Sequence, residues 1–234
     1  MNHTDNHNKA YINADGQKVM RVSEVIKRLS KSQIAAWANR LGLKGISYND
    51  ELNRTANIGS LAHDVMEHYI TPKRLALVDY ESYDITARQD VIEANRMIRS
   101  LLKWYKKFQH PFKVLHTEFV VIGKTLGGTI DCIIEDWSNP SKVIFVDWKS
   151  SGFYLTQFLQ LCGYVLIYEE LYGEGSVGGV MVVAADKKHG DRAKAKLLRR
   201  KDMKLCLKMF RSLFETAYYE DILERHFYQL LENL

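Results

Sequence analysis

The sequence predicts one α/β domain, with a β-rich centre preceded by a mainly helical part and followed by helices. Three observations carry that reading. Residues 112–148 hold three runs of apolar and β-branched residues separated by short turns. Residues 154–172 form an apolar helical run that stops at Gly173, and residues 179–185 (Gly-Val-Met-Val-Val-Ala-Ala) read as a buried strand. Hydrophobic residues make up 46% of the 234, enough for a sizeable core, which excludes global disorder. No repeat, low-complexity tract or linker divides the chain. Residues 1–234 are therefore taken as a single domain, with a helical part over 1–110, a sheet core over 111–200 and C-terminal helices over 201–234.

Residues 1–9 read as a frayed end, and Tyr11 to Val22 as a short hairpin around Asp15-Gly16. Ser23 is the expected cap of a first helix and Ser32 of a second that stops near Gly42. Over residues 50–70, Leu52, Ala56, Leu61, Ala62, Val65, Met66 and Tyr69 fit one helical stripe, with Ile58 as the misfit and Pro72 as the stop. Residues 85–109 are expected to form the longest helix, ended by Pro111. Strands are expected at 112–122, 127–136 and 142–148, with Pro140 in the turn before the third. After the strand at 179–185 come a charged turn, an edge strand and helices from about 201 to 233.

Cys132, Cys162 and Cys206 are far apart and form no CxxC pair, so neither a zinc ribbon nor a disulfide framework is expected. They read as buried thiols of a reducing compartment. The polar N-terminus lacks the apolar core of a signal peptide, and no apolar run approaches membrane-span length. A cytoplasmic protein with no membrane partner is expected. The net charge of +5 is modest, but its distribution is uneven. Arg88, Arg96, Arg99, Lys103, Lys106, Lys107 and Lys113 are interleaved with Trp104, Tyr105, Phe108 and Phe112. Residues 187–211 carry a denser basic run that includes Arg192, Lys194, Lys196, Arg199 and Arg200. Such local excess is the footprint expected for a polyphosphate backbone, with the aromatics either stacking on bases or filling core.

The chemistry is concentrated in Asp131 and, after fifteen intervening residues, in Asp147-Trp148-Lys149. Charged groups inside apolar strand sequence are costly unless they pair or hold a metal. Alternation along a strand puts Asp147 and Lys149 on one face, and a neighbouring strand can bring Asp131 alongside. That set suits a hard divalent cation, Mg²⁺ or Mn²⁺, held by Asp131 and Asp147 with the Trp148 carbonyl as an added ligand. Lys149 then orients an attacking water or stabilises charge growing on a phosphate. Tyr154, Gln157, Gln160 and Tyr164 follow at helical spacing and are expected to face the same cleft. Glu118 reads equally as an outer acid of the site or as a structural residue. His63 alone reads as a hydrogen-bonded helix histidine, although Gly59 and Ser60 one turn earlier point to a close approach. His68 and Glu67 read as surface residues. Gly123-Lys124-Thr125 lacks the glycine a phosphate loop needs, Glu118 standing in its place, so ATP binding is rejected.

Taken together, Gly59-Ser-Leu-Ala-His63, Gly128-Thr-Ile-Asp131, Asp147-Trp-Lys149-Ser150 and Gln160-Leu-Cys-Gly-Tyr164 resemble the PD-(D/E)xK nuclease superfamily, and within it the RecB-type exonuclease branch. That branch includes CRISPR-associated exonucleases, the mitochondrial genome maintenance exonuclease and many phage nucleases. The motifs stand in the family's order over roughly residues 20–185. The resemblance implies a restriction-endonuclease-like mixed central sheet flanked by helices. It implies metal ligation by His63, Asp131, Asp147 and the Trp148 carbonyl, with Lys149 as the catalytic lysine. Gln160 and Tyr164 are implied to position the site and the DNA, with Tyr154, Gln157 and Ser150 as further substrate contacts. Ile130 stands where the family name has proline, and the cysteines of the iron–sulfur relatives are missing, so no cluster is expected. The expected activity is metal-dependent hydrolysis of DNA, as an exonuclease on single strands or ends. An endonuclease or nickase with the same site, and a nuclease-like module that binds without cutting, are the alternatives. By analogy, compact size and the absence of motor motifs fit phage recombination or repair alongside a partner protein from that machinery.

Overall fold

The apolar and β-branched runs pair into a six-stranded mixed sheet that divides the helices into two layers. The computed structural model describes residues 10–29, 32–71, 79–108, 110–150 and 152–232. In chain order the elements are β1 (Met20–Arg21), α1 (Val22–Lys27), α2 (Ser32–Gly42), α3 (Tyr48–Ile70), α4 (Arg88–Lys106), β2 (Val114–Ile122), β3 (Leu126–Glu135), β4 (Val143–Lys149), α5 (Leu155–Tyr172), β5 (Val177–Ala184), β6 (Lys194–Arg199) and α6 (Lys204–Glu232). The strand order is β1-β3-β4-β5-β6, with β2 along the other side of β3. β1 runs parallel to β3 and β4 parallel to β5, while the remaining pairs are antiparallel. The α5 crossover joins the parallel strands β4 and β5, as parallel pairing requires.

Alternation sorts the side chains between the layers. Phe145 and Val182 face α1, α5 and α6, where Val22, Leu159 and Phe210 complete one core. Val146, Trp148 and Val183 face α3 and α4, where Ile58, Met66, Met97 and Trp104 complete the other. On the first side α5 comes close to its neighbours: a Cβ on Gly163 would stand 2.6 Å from the Phe210 ring and 2.7 Å from Val22. On the second side Trp104 meets Trp148 edge to face at 5.7 Å, so Trp104 serves as core and not as a stacking surface.

Several local expectations are corrected. Ser23 lies inside α1; the backbone N–H of Arg21 donates to Glu24 Oε2 at that helix's start. Ser32 is the first described residue of α2, and its expected capping role rests on a boundary outside the described residues. Ile58 is no misfit but fully buried, because it lies on one helical stripe with Leu61, Ala62, Val65, Met66 and Tyr69; Leu52 and Ala56 are the exposed members of the expected set. The longest helix is α6, not the one over 85–109, and it runs unbroken where several helices were expected. The frayed end at 1–9 and the stop at Pro72 lie outside the described residues.

The α3–α4 pair is fixed by Arg54. Its guanidinium donates to Glu51 at 2.8 and 2.9 Å, to Asp90 at 2.8 Å and to Glu93 at 3.0 Å. Lys187 Nζ adds a contact to Glu93 at 3.1 Å. Arg54→Ala leaves those carboxylates facing one another, so denaturant unfolding should show a loss of about 2 kcal/mol. An unchanged midpoint would mean that the cluster is solvated and contributes little.

Candidate metal centre and cleft

The centre forms where two paired strands part. β3 pairs with β4 from Glu135↔Val143 to Cys132↔Val146, and with β1 only at Leu126 and Gly127. Between those segments residues 128–131 have no strand partner on that side, and a cleft of about 430 Å³ opens there. Asp131 and Asp147 stand at the fork. Asp131 Oδ2 accepts the Trp148 N–H at 3.1 Å, taking the place of a continued ladder. His63, reaching over from α3, places Nε2 2.6 Å from the Trp148 carbonyl oxygen. The indole of Trp148 points away, into the aromatic cluster under α4, and anchors the strand end.

His63 Nδ1 lies 3.4 Å from Asp131 Oδ2. Burial, then the nearby Lys149 charge, hold the imidazole down at about 4, so it is neutral at ordinary pH. A neutral imidazole has one N–H, so one of its two contacts sets a lone pair against an oxygen acceptor. An added proton or a cation relieves that opposition. A hard cation is the better fit, because Glu118 joins the same group: one ligand atom each from His63, Glu118 and Asp131 lies within 4.8 Å of the others. Glu118 sits in β2 at a left-handed φ of 46°, opposite Asp131. A non-glycine residue is strained there, as happens where side-chain aim matters more than backbone comfort.

Glu118 is exposed at the cleft mouth, yet the packed surroundings and then the charges of Asp131, Glu67 and Asp64 push its carboxyl above the usual range. Asp147 is buried, and its Oδ2 has no hydrogen-bond partner among the described residues. Burial and the Asp131 charge push it up to about 7, opposed by Lys149. Lys149 Nζ donates to Asp147 Oδ1 at 2.8 Å. Burial works against its charge, but Asp147 and Asp131 outweigh that and hold the ammonium above its ordinary value. The site thus gathers Asp131, Asp147 and Glu118 around one buried lysine, with Arg21 on the wall of the same cleft.

Of the residues expected at the site, His63, Asp131, Trp148, Lys149, Ser150, Gln160 and Tyr164 border the cleft, and Asp147 lies beneath it beside Lys149. Gln160 Nε2 donates to the Tyr164 hydroxyl at 2.9 Å. Tyr164 packs against the bare backbone of Gly128, where a Cβ would come within 2.3 Å of the ring. Tyr154 and Gln157 do not border the cleft. Gln157 Oε1 accepts the Tyr154 N–H at 2.8 Å, so its amide serves the start of α5, and Tyr154 folds over Gly152 in solvent. Tyr154 precedes α5 as its N-cap, so the expected row of four on one helical face is reduced to Gln160 and Tyr164 at the cleft. Gly59 does border it, and a Cβ there would meet open space, so no part of the protein makes the expected close approach. Glu67 is half-buried and accepts from Thr117 Oγ1 at 3.0 Å, and His68 Nδ1 bonds the Asp64 carbonyl at 2.7 Å, so neither is the plain surface residue expected. Tyr11 and Arg21 were not anticipated. The hairpin that carries them folds against Gly127, with the Tyr11 hydroxyl 2.9 Å from Thr129 Oγ1 and Arg21 over the Tyr11 ring. Only the pairing of β1 with β3, more than a hundred residues on, brings them to the cleft.

All three cysteines are free, and burial raises Cys132 and Cys162, the latter to about 12. No helix among the described residues is long and apolar enough to cross a membrane. The family model of the PD-(D/E)XK nuclease superfamily matches residues 35–233. No curated protein matches the chain.

Cation binding here competes with protons, above all the one that burial favours on Asp147, with the raised Glu118 carboxyl adding to it. Affinity for Mg²⁺ or Mn²⁺ should therefore rise at least about tenfold from about pH 6 to about pH 8, with net proton release on binding. Titration calorimetry in buffers of different ionisation enthalpy measures both, and a pH-independent affinity would remove these carboxyls from the ligand set.

Proposed function

Because this chain belongs to the PD-(D/E)XK nuclease superfamily, we propose that it hydrolyses phosphodiester bonds of DNA with Mg²⁺ or Mn²⁺, as a RecB-type exonuclease acting on single strands or ends. The observation that carries the proposal is the meeting of Asp131, His63 and the Asp147–Lys149 pair at the fork between β3 and β4. Asp131, His63, Glu118, Asp147 and the Trp148 carbonyl are the groups that would hold the cation. When bound, it lowers the pKa of the attacking water and neutralises a phosphate oxygen. Lys149, fixed by Asp147, holds its ammonium where the water is oriented and where charge grows on the phosphate. Gln160 and Tyr164 form the cleft wall and hold the strand against Gly128, with Ser150 beside Lys149 as a further contact. The enclosure of the cleft by the N-terminal hairpin and α3 favours a strand end over a continuous duplex. Recombination or repair, alongside a partner protein, is the cellular setting that this activity fits.

End-labelled single-stranded, double-stranded and circular DNA, each with Mg²⁺, Mn²⁺ or EDTA, tests the reading. Linear strands should be digested only with metal, and circles spared. Lys149→Ala should lower turnover by about a hundredfold or more while circular dichroism and DNA binding persist. Cleavage that survives in that variant would sink the assignment, and cleavage of circles would move it to an endonuclease.

A further inference from the structure

A second concavity, of about 620 Å³, lies along the opposite edge of the sheet, outside the metal centre. Arg192, Lys194 and Lys196 line it from the β6 edge, Phe108 and His110 from beyond α4, and Phe153 from the β4–α5 connection. No acidic residue lines it. The three cations and His110 are exposed. His110 lies flat on Trp137, with ring centres 4.7 Å apart and planes 4° apart, and the Arg199 guanidinium lies 4.8 Å from the same indole. His110 is thus the exposed end of a planar stack. Lys196 Nζ lies 5.1 Å from the centre of the Phe153 ring.

The sheet register positions this groove relative to the cleft. Lys149 pairs with Ala184 and Ala184 with Lys194; Asp147 pairs with Val182 and Val182 with Lys196. Residues opposite one another in a ladder project from the same face. Lys194 and Lys196 therefore share the face and height of Lys149 and Asp147, two strand spacings away, roughly 10 Å. Val182, which stands between, is fully buried in the core beneath α5, and Ala184 is buried as well, so packed protein separates the β6 lysines from Lys149. Exposed lysines on an edge strand also deter edge-to-edge pairing. That role accounts for charge at β6, but not for an aromatic, acid-free hollow beside it.

We propose that this groove is a second track for a single strand of DNA, outside the cleft, where Arg192, Lys194 and Lys196 hold successive phosphates and His110 and Phe153 receive bases. The inference rests on the nuclease reading and adds a substrate path to it. A basic groove with aromatic steps is the way single strands are held without sequence preference. Stacking asks for unpaired bases, which favours a single strand over a duplex.

The test uses the full chain, Ca²⁺ to hold substrate, and oligothymidylates of about 4 and about 16 nucleotides, the span of single-strand site sizes. With Arg192, Lys194 and Lys196 all changed to alanine, the longer strand should bind at least tenfold more weakly, and the slope of log affinity against log salt should fall by about 2, near 0.7 per lost contact. Binding of the shorter strand, and its cleavage with Mg²⁺, should stay as in the parent. His110→Ala should weaken the longer strand with no change in salt slope, because it removes stacking and not charge. Lys194→Glu with Lys196→Glu gives a second charge variant, and circular dichroism checks each fold. Unchanged affinity and slope for the longer strand would overturn the track and leave β6 as a guarded edge. Equal losses for a duplex of the same length would overturn the single-strand assignment. A parent protein that cleaves nothing would instead overturn the nuclease reading, which separates the two failures.

Discussion

The crowding of three carboxyl groups at the parting of β3 and β4 is the constraint around which the rest of the molecule is arranged. Asp131, Asp147 and Glu118 meet there with one neutral imidazole and one ammonium. In water these acids would ionise separately. Crowded together, Asp147 and Glu118 are both pushed above the usual carboxyl range, and one oxygen of buried Asp147 has no hydrogen-bond partner among the described residues. A core built for stability alone would replace such groups with apolar ones of similar size. Their retention has a physical rationale once a cation supplies positive charge there.

The surrounding fold holds that cluster open. Trp148 sends its backbone toward Asp131 and His63 and its indole into the opposite core, so the strand end cannot turn without breaking both. Arg54 locks α3, and with it His63, to α4. Gly128 lets Tyr164 stand against the backbone where the ladder is interrupted. Each is a local choice that makes sense only with the fork in view.

Much of this was legible in the sequence because it follows from period and chemistry. Alternating apolar residues located the strands within a few positions, and Asp-x-Lys placed an acid and a lysine on one face before any coordinates. What was hidden depends on distant pairing. Tyr11 and Arg21 reach the cleft only because β1 adds to β3. Glu118 was left undecided because its aim depends on a left-handed backbone that spacing cannot reveal. Gln157 shared the right helical face yet turned inward to serve its own helix, since spacing defines a face but not where the helix begins relative to the cleft.

The parallel pairing of β1 with β3 also bears on when the protein acquires its cleft. Met20 is made before its partner Leu126, which emerges only after about a hundred further residues. Contacts that far apart in sequence carry a large loop-closure cost and form late. The α3–α4 pair, built from closer contacts, can assemble beforehand. The wall that carries Tyr11 and Arg21 is therefore a closing step of folding, and a nascent chain exposes its acids on an open sheet edge before the cleft is closed.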